Sequence, residues 1–193
     1  MPTSAPQFLL ASRSPRRAAL LASVGLRFDI VAADVEEARA PGQTPHDYAL
    51  ATALAKARAG AARQPGLAVL GADTDVVLDD AILGKPHDRA HALEMLARLS
   101  NRAHDVFSAV ALVNGGRELT VLSVTRVEFG PIAPAAAAAY WDTGEPADKA
   151  GAYAIQGGAA RWVRRIEGSY TGVVGLPLFE TLRLLASVGV QPP

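Results

Sequence analysis

Hydroxyl and guanidinium groups cluster where a short apolar segment gives way to a predicted helix. Ser12, Ser14, Arg16 and Arg17 follow directly on the predicted strand Phe8–Ala11. The first turn of a helix presents unpaired backbone N–H groups and the positive end of the helix dipole, so anions bind there readily. Two arginines in that turn are unfavourable for the helix itself, and a bound anion would remove this cost. The pattern indicates either a phosphate site or a helix start with two solvated arginines.

Another candidate group follows the apolar segment Leu67–Leu70. Asp73 and Thr74 stand in the sequence Gly-Ala-Asp-Thr, which we predict to be a loop after a strand. A carboxylate in such a loop could ligate a metal ion or accept a proton from water. A turn or capping aspartate is the commoner role for a single Asp, and it remains an alternative here.

Two further acidic residues, Glu36 and Glu37, follow the predicted strand Arg27–Ala32. Carboxylates that follow different strands could jointly hold a hard cation, so Glu36 and Asp73 are candidate metal ligands. Because the candidate ligands are all oxygens, Mg²⁺ or Mn²⁺ is the expected cofactor. Taken without other evidence, the two glutamates are better explained as part of a solvated loop.

Lysine is rare in this chain. Among its 19 basic residues, only Lys56, Lys85 and Lys149 are lysines. A sequence that prefers arginine so strongly is expected to keep lysine where a compact point charge is wanted, although chance would also leave a few. Lys85 lies in Leu-Gly-Lys-Pro, which is not a P-loop, because Pro86 replaces the hydroxyl residue and the upstream glycine spacing is absent. Lys56 and Lys85 are therefore candidate phosphate ligands.

The segment 143–157 holds the densest run of small and polar residues in the chain. Its Gln156 side chain has both donors and an acceptor, which suits it to recognise the edge of a base. Gly157 next to it permits close approach of the backbone to a ligand. The alternative is an irregular structural loop in which Asp148 and Lys149 form a surface pair.

One pattern imitates a metal site. His87, His91 and Glu94 would share one face of a helix at ligand spacing, but such a set is more often a solvated face. No arrangement of Ser, His and Asp supports a nucleophilic triad.

Composition limits the classes of protein that fit. The chain has 193 residues, a net charge of +0 and no cysteine, so disulfides and thiolate metal sites are excluded and nucleic-acid binding is disfavoured. No apolar run is long enough to span a membrane, and residues 1–7 do not resemble a secretory signal. We expect one domain over residues 1–193, with no nucleic-acid partner, no membrane partner and a cytoplasmic location.

Helical and strand patterns alternate along the chain. The order predicts an α/β fold with a mixed sheet, because helices interleave with hairpins. The helices are expected at Ser14–Val24, from Thr44-Pro45 to about Arg63, at Asp88–Leu99, around Ala135–Ala139 and at Leu178–Val188. The strands are expected at Phe8–Ala11, Arg27–Ala32, Leu67–Leu70, Val76–Leu83 as a hairpin, Val106–Val113, Leu119–Phe129 and Arg161–Ile166.

Taken together, these segments resemble the Maf family of nucleoside triphosphate pyrophosphatases. The resemblance rests on ordered blocks that cover nearly the whole chain. These blocks are Ser-Pro-Arg-Arg at 14–17, Val-Glu-Glu at 35–37, Ala-Lys-Ala-Arg around Lys56, Gly-Ala-Asp-Thr at 71–74, Leu-Gly-Lys-Pro at 83–86, Met-Leu at 95–96, Leu-Ser at 99–100, the segment 148–157 and Val-Gly-Leu-Pro-Leu at 174–178. Each block is weak alone, and the ordered set is specific.

The resemblance implies an elongated mixed sheet flanked by helices, two lobes around a central cleft and often a homodimer. It also implies hydrolysis of a nucleoside triphosphate at the α-phosphate. Asp73 matches the family's catalytic acidic residue, usually described as the proton acceptor, and Glu36 matches a metal-associated carboxylate. The positions that match the triphosphate site are Ser12, Arg16, Lys56 and Lys85, and those tied to substrate choice are Arg16, Thr74 and Gln156.

Within the family, the blocks at 14–17, 71–74 and 148–157 resemble the branch that acts on dTTP and UTP. The branch that acts on 7-methyl-GTP departs at these places, and it remains an alternative, as does a non-enzymatic regulator of cell division. The chain differs from the usual pattern at Asn101, at Ser108 and at Asp75, which adds a charge beside the catalytic block.

Overall fold

The computed structural model describes residues 5–193, in which seven strands form one mixed sheet. The strands are β1 (Phe8–Ala11), β2 (Phe28–Ile30), β3 (Val69–Leu78), β4 (Ala81–Leu83), β5 (Ala103–Asn114), β6 (Arg117–Phe129) and β7 (Val163–Glu167). Their order is β2-β1-β3-β5-β6-β7, with β4 paired to β3. β1 runs parallel to β2 and β3, and the other pairs are antiparallel. The predicted mixed sheet is confirmed.

The helices flank this sheet and begin at residues that favour helix starts. They are α1 (Pro15–Ser23), α2 (Pro45–Arg63), α3 (Arg89–Leu99), α4 (Pro134–Trp141), α5 (Tyr170–Val174) and α6 (Leu178–Ala186). The side chains of Thr44 and Asp88 cap α2 and α3 by accepting hydrogen bonds from backbone N–H groups in the first turn. Ser14 occupies the cap position of α1 but makes no capping hydrogen bond with its side chain.

Strand β3 is longer than the sequence predicts. The prediction ended this strand at Leu70 and placed Asp73 in a following loop, whereas β3 continues to Leu78 and turns at Asp79 and Asp80, which have positive φ. The polar residues of Gly-Ala-Asp-Thr suggested a loop, but backbone pairing with β5 runs unbroken from Val69 to Val77 and keeps the segment extended. The catalytic candidates therefore lie on a strand.

A close approach between α2 and β3 depends on Gly71. A Cβ atom at Gly71 would lie 2.3 Å from the carbonyl oxygen of Ala53 and 2.6 Å from the backbone nitrogen of Ala57. The missing side chain thus lets the helix backbone rest directly on the strand, and buried alanines line this face of α2. Lys56, between those two residues, is brought to the strand that carries Asp73.

The long strands β3 and β5 connect two hydrophobic clusters at different parts of the sheet. One surrounds Leu10, Leu70 and Leu185 and is covered by α1 and α6. The other surrounds Leu96 and Phe129 and is covered by α3, α4 and the irregular segment that follows α4. The sheet is therefore elongated, with packed helices at both ends.

Among residues 5–193, no helix has the length and apolar character needed to cross a membrane. The expectation that the chain starts without a secretory signal concerns Met1–Gln7, of which residues 1–4 lie outside the described part.

Candidate active site

A cleft of about 1100 Å³ collects side chains from widely separated parts of the sequence. Its walls come from the β1–α1 junction, the segment after β2, α2, β3, the end of β4 and the segment after α4. Nine of the ten predicted site residues line it: Ser12, Ser14, Arg16, Arg17, Lys56, Asp73, Thr74, Lys85 and Gln156.

At the floor of the cleft, Lys56 joins two carboxylates. Its Nζ atom lies 2.8 Å from Oδ1 of Asp73 and 2.7 Å from Oε1 of Glu37. The Lys56 and Asp73 side chains are only 12% and 10% exposed, so little water screens this pair. Burial opposes ionisation of Glu37, but the hydrogen bond and charge of Lys56 outweigh it and place the pKa of Glu37 below its ordinary value.

Glu36, the tenth predicted residue, does not line the cleft and is exposed. Its neighbour Glu37 contacts Lys56 instead, so the structure brings Glu37 to Asp73 where the sequence analysis had assigned Glu36. The loop points the two adjacent side chains differently, and neither residue type nor spacing distinguishes one glutamate from the other. Convergence on Lys56 is visible only in three dimensions.

Asp75 is a second buried carboxylate beside Asp73. Because side chains alternate along a strand, Asp73 and Asp75 share one face of β3, and both are 7% exposed. The Oδ2 atom of Asp75 is buried and has no hydrogen-bond partner within the described part of the chain. Burial, followed by the negative charge of Asp73, raises the pKa of Asp75 to about 8.

Two adjacent buried carboxylates, one with an unpartnered oxygen, are suited to hold a divalent cation. No group of three or more His, Cys, Asp or Glu residues gathers in metal-binding geometry anywhere in 5–193. Mg²⁺ commonly takes one or two carboxylates and completes its shell with water and substrate phosphates. Asp73 and Asp75 therefore fit a metal that binds together with a phosphorylated ligand.

Arg17 supports the walls of the cleft. Its guanidinium donates hydrogen bonds to the carbonyl of Gly175 at 2.8 Å, and to the hydroxyls of Ser12 and Thr74 at 3.1 Å each. Burial lowers its pKa, against the opposing charge of Asp73. With these donors committed to the protein, Arg17 holds α1, β3 and the end of α5 together.

Arg16 and Ser14 leave more of their polar groups available to a ligand. Arg16 uses only Nε within the described residues, at 3.3 Å from the carbonyl of Val174. The hydroxyl of Ser14 is not used in capping α1. Both side chains line the cleft at the N-terminus of α1, where the backbone N–H groups favour an anion.

Lys85 and Lys149 add further positive charge to the lining of the cleft. Lys85 is exposed and follows β4, whose end is fixed by a hydrogen bond from the Gly151 N–H to the Gly84 carbonyl at 3.1 Å. Lys149 pairs with Asp148, as in the alternative interpretation of this segment, but both residues line the cleft. Lys149 is therefore more than part of a surface pair, because its side chain is only 15% exposed. The rarity of lysine in this chain is the feature of the sequence that points to it.

The imitation metal site is a surface feature. The ring centroids of His87 and His91 lie 4.0 Å apart with the rings tilted by 41°, and Glu94 is exposed on α3, which also carries His91. Like the rest of residues 5–193, these three residues do not gather in metal-binding geometry.

Fold and site together define an α/β protein with a cleft in which cationic groups surround buried carboxylates. The family model described as "Maf-like protein" matches residues 7–188, and the chain belongs to the Maf family.

Proteins that carry the name dTTP/UTP pyrophosphatase are similar to this chain over nearly its full length. The one from Burkholderia pseudomallei (strain 1710b) is 50% identical over 200 residues, covering 97% of this chain and 96% of that protein. The one from Methylococcus capsulatus is 49% identical over 185 residues, covering 95% and 92%. The one from Symbiobacterium thermophilum is 49% identical over 183 residues, covering 95% and 94%.

Proposed function

We propose that this protein hydrolyses dTTP and UTP to the nucleoside monophosphate and pyrophosphate. The observation that carries the proposal is the convergence of Asp73, Lys56 and Glu37 in a cleft whose rim holds the anion-binding start of α1. The names of relatives about 50% identical supply the substrate class.

The chemistry requires a carboxylate that is held in place beside the attacking water. The Nζ atom of Lys56 lies 2.8 Å from Oδ1 of Asp73 and fixes that carboxylate, whose oxygens can orient the water and accept its proton. Lys85, Ser14 and Arg16 are placed to hold the outer phosphates as the leaving group. Water at Asp73 would then face the α-phosphorus, so the bond between the α- and β-phosphates breaks.

We include a divalent metal, Mg²⁺ or Mn²⁺, as the cofactor. Asp73 and Asp75 are the residues that would hold it, because their carboxylates are adjacent and buried. When bound, such an ion neutralises negative charge on the phosphate oxygens. This assignment replaces Glu36 by Asp75 as the second carboxylate.

Base choice is assigned to Gln156, Arg16 and Thr74. The amide of Gln156 can pair with the carbonyl and imide N–H edge that uracil and thymine share. Thr74 is held by Arg17 and the Gly175 carbonyl, so we give it an indirect part in shaping the cleft. A homodimer and a cytoplasmic location complete the proposal.

A nucleotide panel tests this proposal. Pyrophosphate release is measured for dTTP, UTP, CTP, ATP, GTP and 7-methyl-GTP, with the protein and with Asp73→Asn. Preferential release from dTTP and UTP that disappears in the variant supports the proposal. Preference for 7-methyl-GTP would place the protein in the other branch, and no release from any nucleotide would favour a non-enzymatic regulator.

A further inference from the structure

The segment Ala154–Gly158, here called the base loop, carries Gln156 at its centre and is held at both ends by two side chains. The first is Tyr140, near the end of α4 and 2% exposed. Its hydroxyl accepts a hydrogen bond from the Ala154 N–H at 3.0 Å and donates one to Oε1 of Glu145 at 2.5 Å. One hydroxyl thus connects the start of the base loop to a carboxylate.

That carboxylate holds the other end of the base loop. The N–H of Gly158 lies 3.1 and 3.2 Å from the two carboxylate oxygens of Glu145. A charged acceptor makes these bonds stronger than those between neutral groups. Ala154 and Gly158 are therefore fixed to the same Tyr140–Glu145 pair.

Gly157 makes room for this arrangement. A Cβ atom at Gly157 would lie 2.1 Å from Oε2 of Glu145, well inside van der Waals contact. Its φ of −118° is open to any residue, so contact with Glu145, and not backbone strain, is what requires glycine here. The sequence of the base loop is thus matched to the carboxylate beneath it.

Gln156 depends on this support for its position. Its side chain is exposed in the cleft and makes no hydrogen bond to any residue from 5 to 193, so its placement follows from the backbone. Hydrogen-bonded recognition of a base requires donors and acceptors at fixed places, and small displacements are costly. Burial and the hydrogen bond to Glu145 raise the pKa of Tyr140 above its ordinary value, so the hydroxyl remains a donor.

We propose that Tyr140 and Glu145 are positioning residues that set base selectivity by fixing the loop that carries Gln156. This inference rests on the proposed function, in which Gln156 reads the base. It assigns selectivity to two residues that do not line the cleft and do not touch the substrate.

The variants are Tyr140→Phe and Glu145→Gln, each of which keeps the shape of the side chain. Their matched controls are Tyr170→Phe, at the exposed first residue of α5, and Glu118→Gln, in a surface ion pair with Arg58. We expect each test variant to lower the ratio of kcat/KM for UTP over CTP about three- to tenfold, the effect of one lost hydrogen bond. The loss for UTP should lie mainly in KM, and the controls should keep the ratio.

Two further measurements separate positioning from a general loss of structure. Amide exchange in the base loop should accelerate in both test variants and not in the controls, whatever the substrate. In a Gln156→Ala background, Tyr140→Phe should cause no further loss of selectivity, because its effect passes through Gln156. Thermal unfolding of every variant verifies folding.

Each failure has a distinct meaning. Unchanged amide exchange in the base loop would show that Tyr140 and Glu145 do not hold the loop. Faster exchange with an unchanged UTP to CTP ratio, or an additive loss in the Gln156→Ala background, would overturn its role in selectivity. A lack of base preference in the unmodified protein would instead refute the proposed function, and the exchange result would still decide whether Tyr140 and Glu145 hold the loop.

Discussion

At the scale of single residues, Asp73 is distinguished by its surroundings and not by its residue type. An ordinary aspartate has a pKa near 3.9 and is a weak base at neutral pH. Asp73 is buried beside Asp75, and the Nζ atom of Lys56 lies 2.8 Å from its Oδ1 atom. These contacts fix the position of the carboxylate, which suits a group that must orient one water molecule.

Asp73→Asn should retain the fold and lose turnover. The amide keeps the shape of the side chain but can neither accept a proton nor balance Lys56. Since general-base assistance is typically worth about 10²- to 10⁴-fold, we expect kcat to fall by at least that range. Steady-state pyrophosphate release measures it, with the surface substitution Asp105→Asn as the control. Near-normal activity would show that Asp73 is a structural residue only.

Asp75 makes stability depend on pH. In the folded chain its pKa is raised from 3.8 to about 8, so the folded state favours the protonated form. The stability that this proton contributes is present below the unfolded pKa and is lost as pH rises toward the folded pKa. Asp75→Asn cannot ionise, so its melting temperature relative to the unmodified protein should rise between about pH 4 and about pH 8 and stay level above that.

The size of that rise should be about 3 °C or more, because even one unit of pKa shift corresponds to about 1.4 kcal/mol, and 1 kcal/mol shifts the melting temperature of a chain of this length by about 2–4 °C. The measurement is thermal unfolding in the presence of a chelator. The surface variant Asp105→Asn should show no such trend. A pH-independent difference would mean that Asp75 is ionised in the folded state across this range.

At the scale of elements, the contact between α2 and β3 positions Lys56 over Asp73. Gly71→Ala would place a methyl group 2.3 Å from the Ala53 carbonyl and push the helix away from the strand. We expect a loss of about 1–3 kcal/mol in the free energy of unfolding, typical of overpacking. Because Lys56 moves with the helix, kcat should fall as well.

Urea unfolding and steady-state kinetics measure these two effects. Gly130→Ala is the control, since its added Cβ would meet its nearest neighbour at 3.4 Å, an ordinary contact. A Gly71→Ala variant as stable and active as the control would show that the helix can shift without disturbing the site.

The sequence predicts the elements well where the pattern is local. The helices that start at Pro15, Pro45 and Pro134 and the hairpin at Asn114–Gly116 follow from capping and turn residues. The length of β3 depends on pairing with β5, a non-local interaction that overrides the polar residues within it. Glu37, and not Glu36, contacts Lys56. That contact depends on where Lys56 lies in the fold, which the spacing of residues in the sequence does not indicate.

The segment around the base loop shows the same limit. The small residues of 143–157 indicate an irregular segment, and three short turns of 3₁₀ helix lie within 145–162. Nothing in the spacing reveals that Glu145 binds the N–H of Gly158 or that Tyr140 binds Ala154. These are side-chain to backbone bonds that only the folded loop brings together.

At the scale of the whole molecule, positive and negative charges balance, and many of the charged side chains lie in the cleft. The net charge is +0, yet seven cationic and five acidic side chains line the cleft: Arg13, Arg16, Arg17, Arg39, Lys56, Lys85 and Lys149 beside Asp34, Glu37, Asp73, Asp75 and Asp148. Such a neutral surface with a charged cleft suits a small polyanion, as electrostatic attraction is confined to the site. A nucleoside triphosphate with its metal matches that distribution.

Removal of divalent metal should abolish activity without unfolding the protein. Exhaustive chelation should stop pyrophosphate release, and added Mg²⁺ or Mn²⁺ should restore it, because the triphosphate charge is otherwise only partly neutralised. Thermal unfolding with and without chelator verifies that the fold persists. Full activity after chelation would show that hydrolysis does not require a divalent metal.

The phosphorus atom that water attacks distinguishes the proposed reaction from its alternatives. The protein is incubated with UTP in water labelled with heavy oxygen, and the products are resolved by mass spectrometry. Attack at the α-phosphorus, as placed by Asp73 and Lys56, predicts UMP that carries the label and pyrophosphate that does not. Label in pyrophosphate with unlabelled UMP would mean attack at the β-phosphorus, and UDP with labelled orthophosphate would mean attack at the γ-phosphorus. Either result would refute hydrolysis at the α-phosphorus.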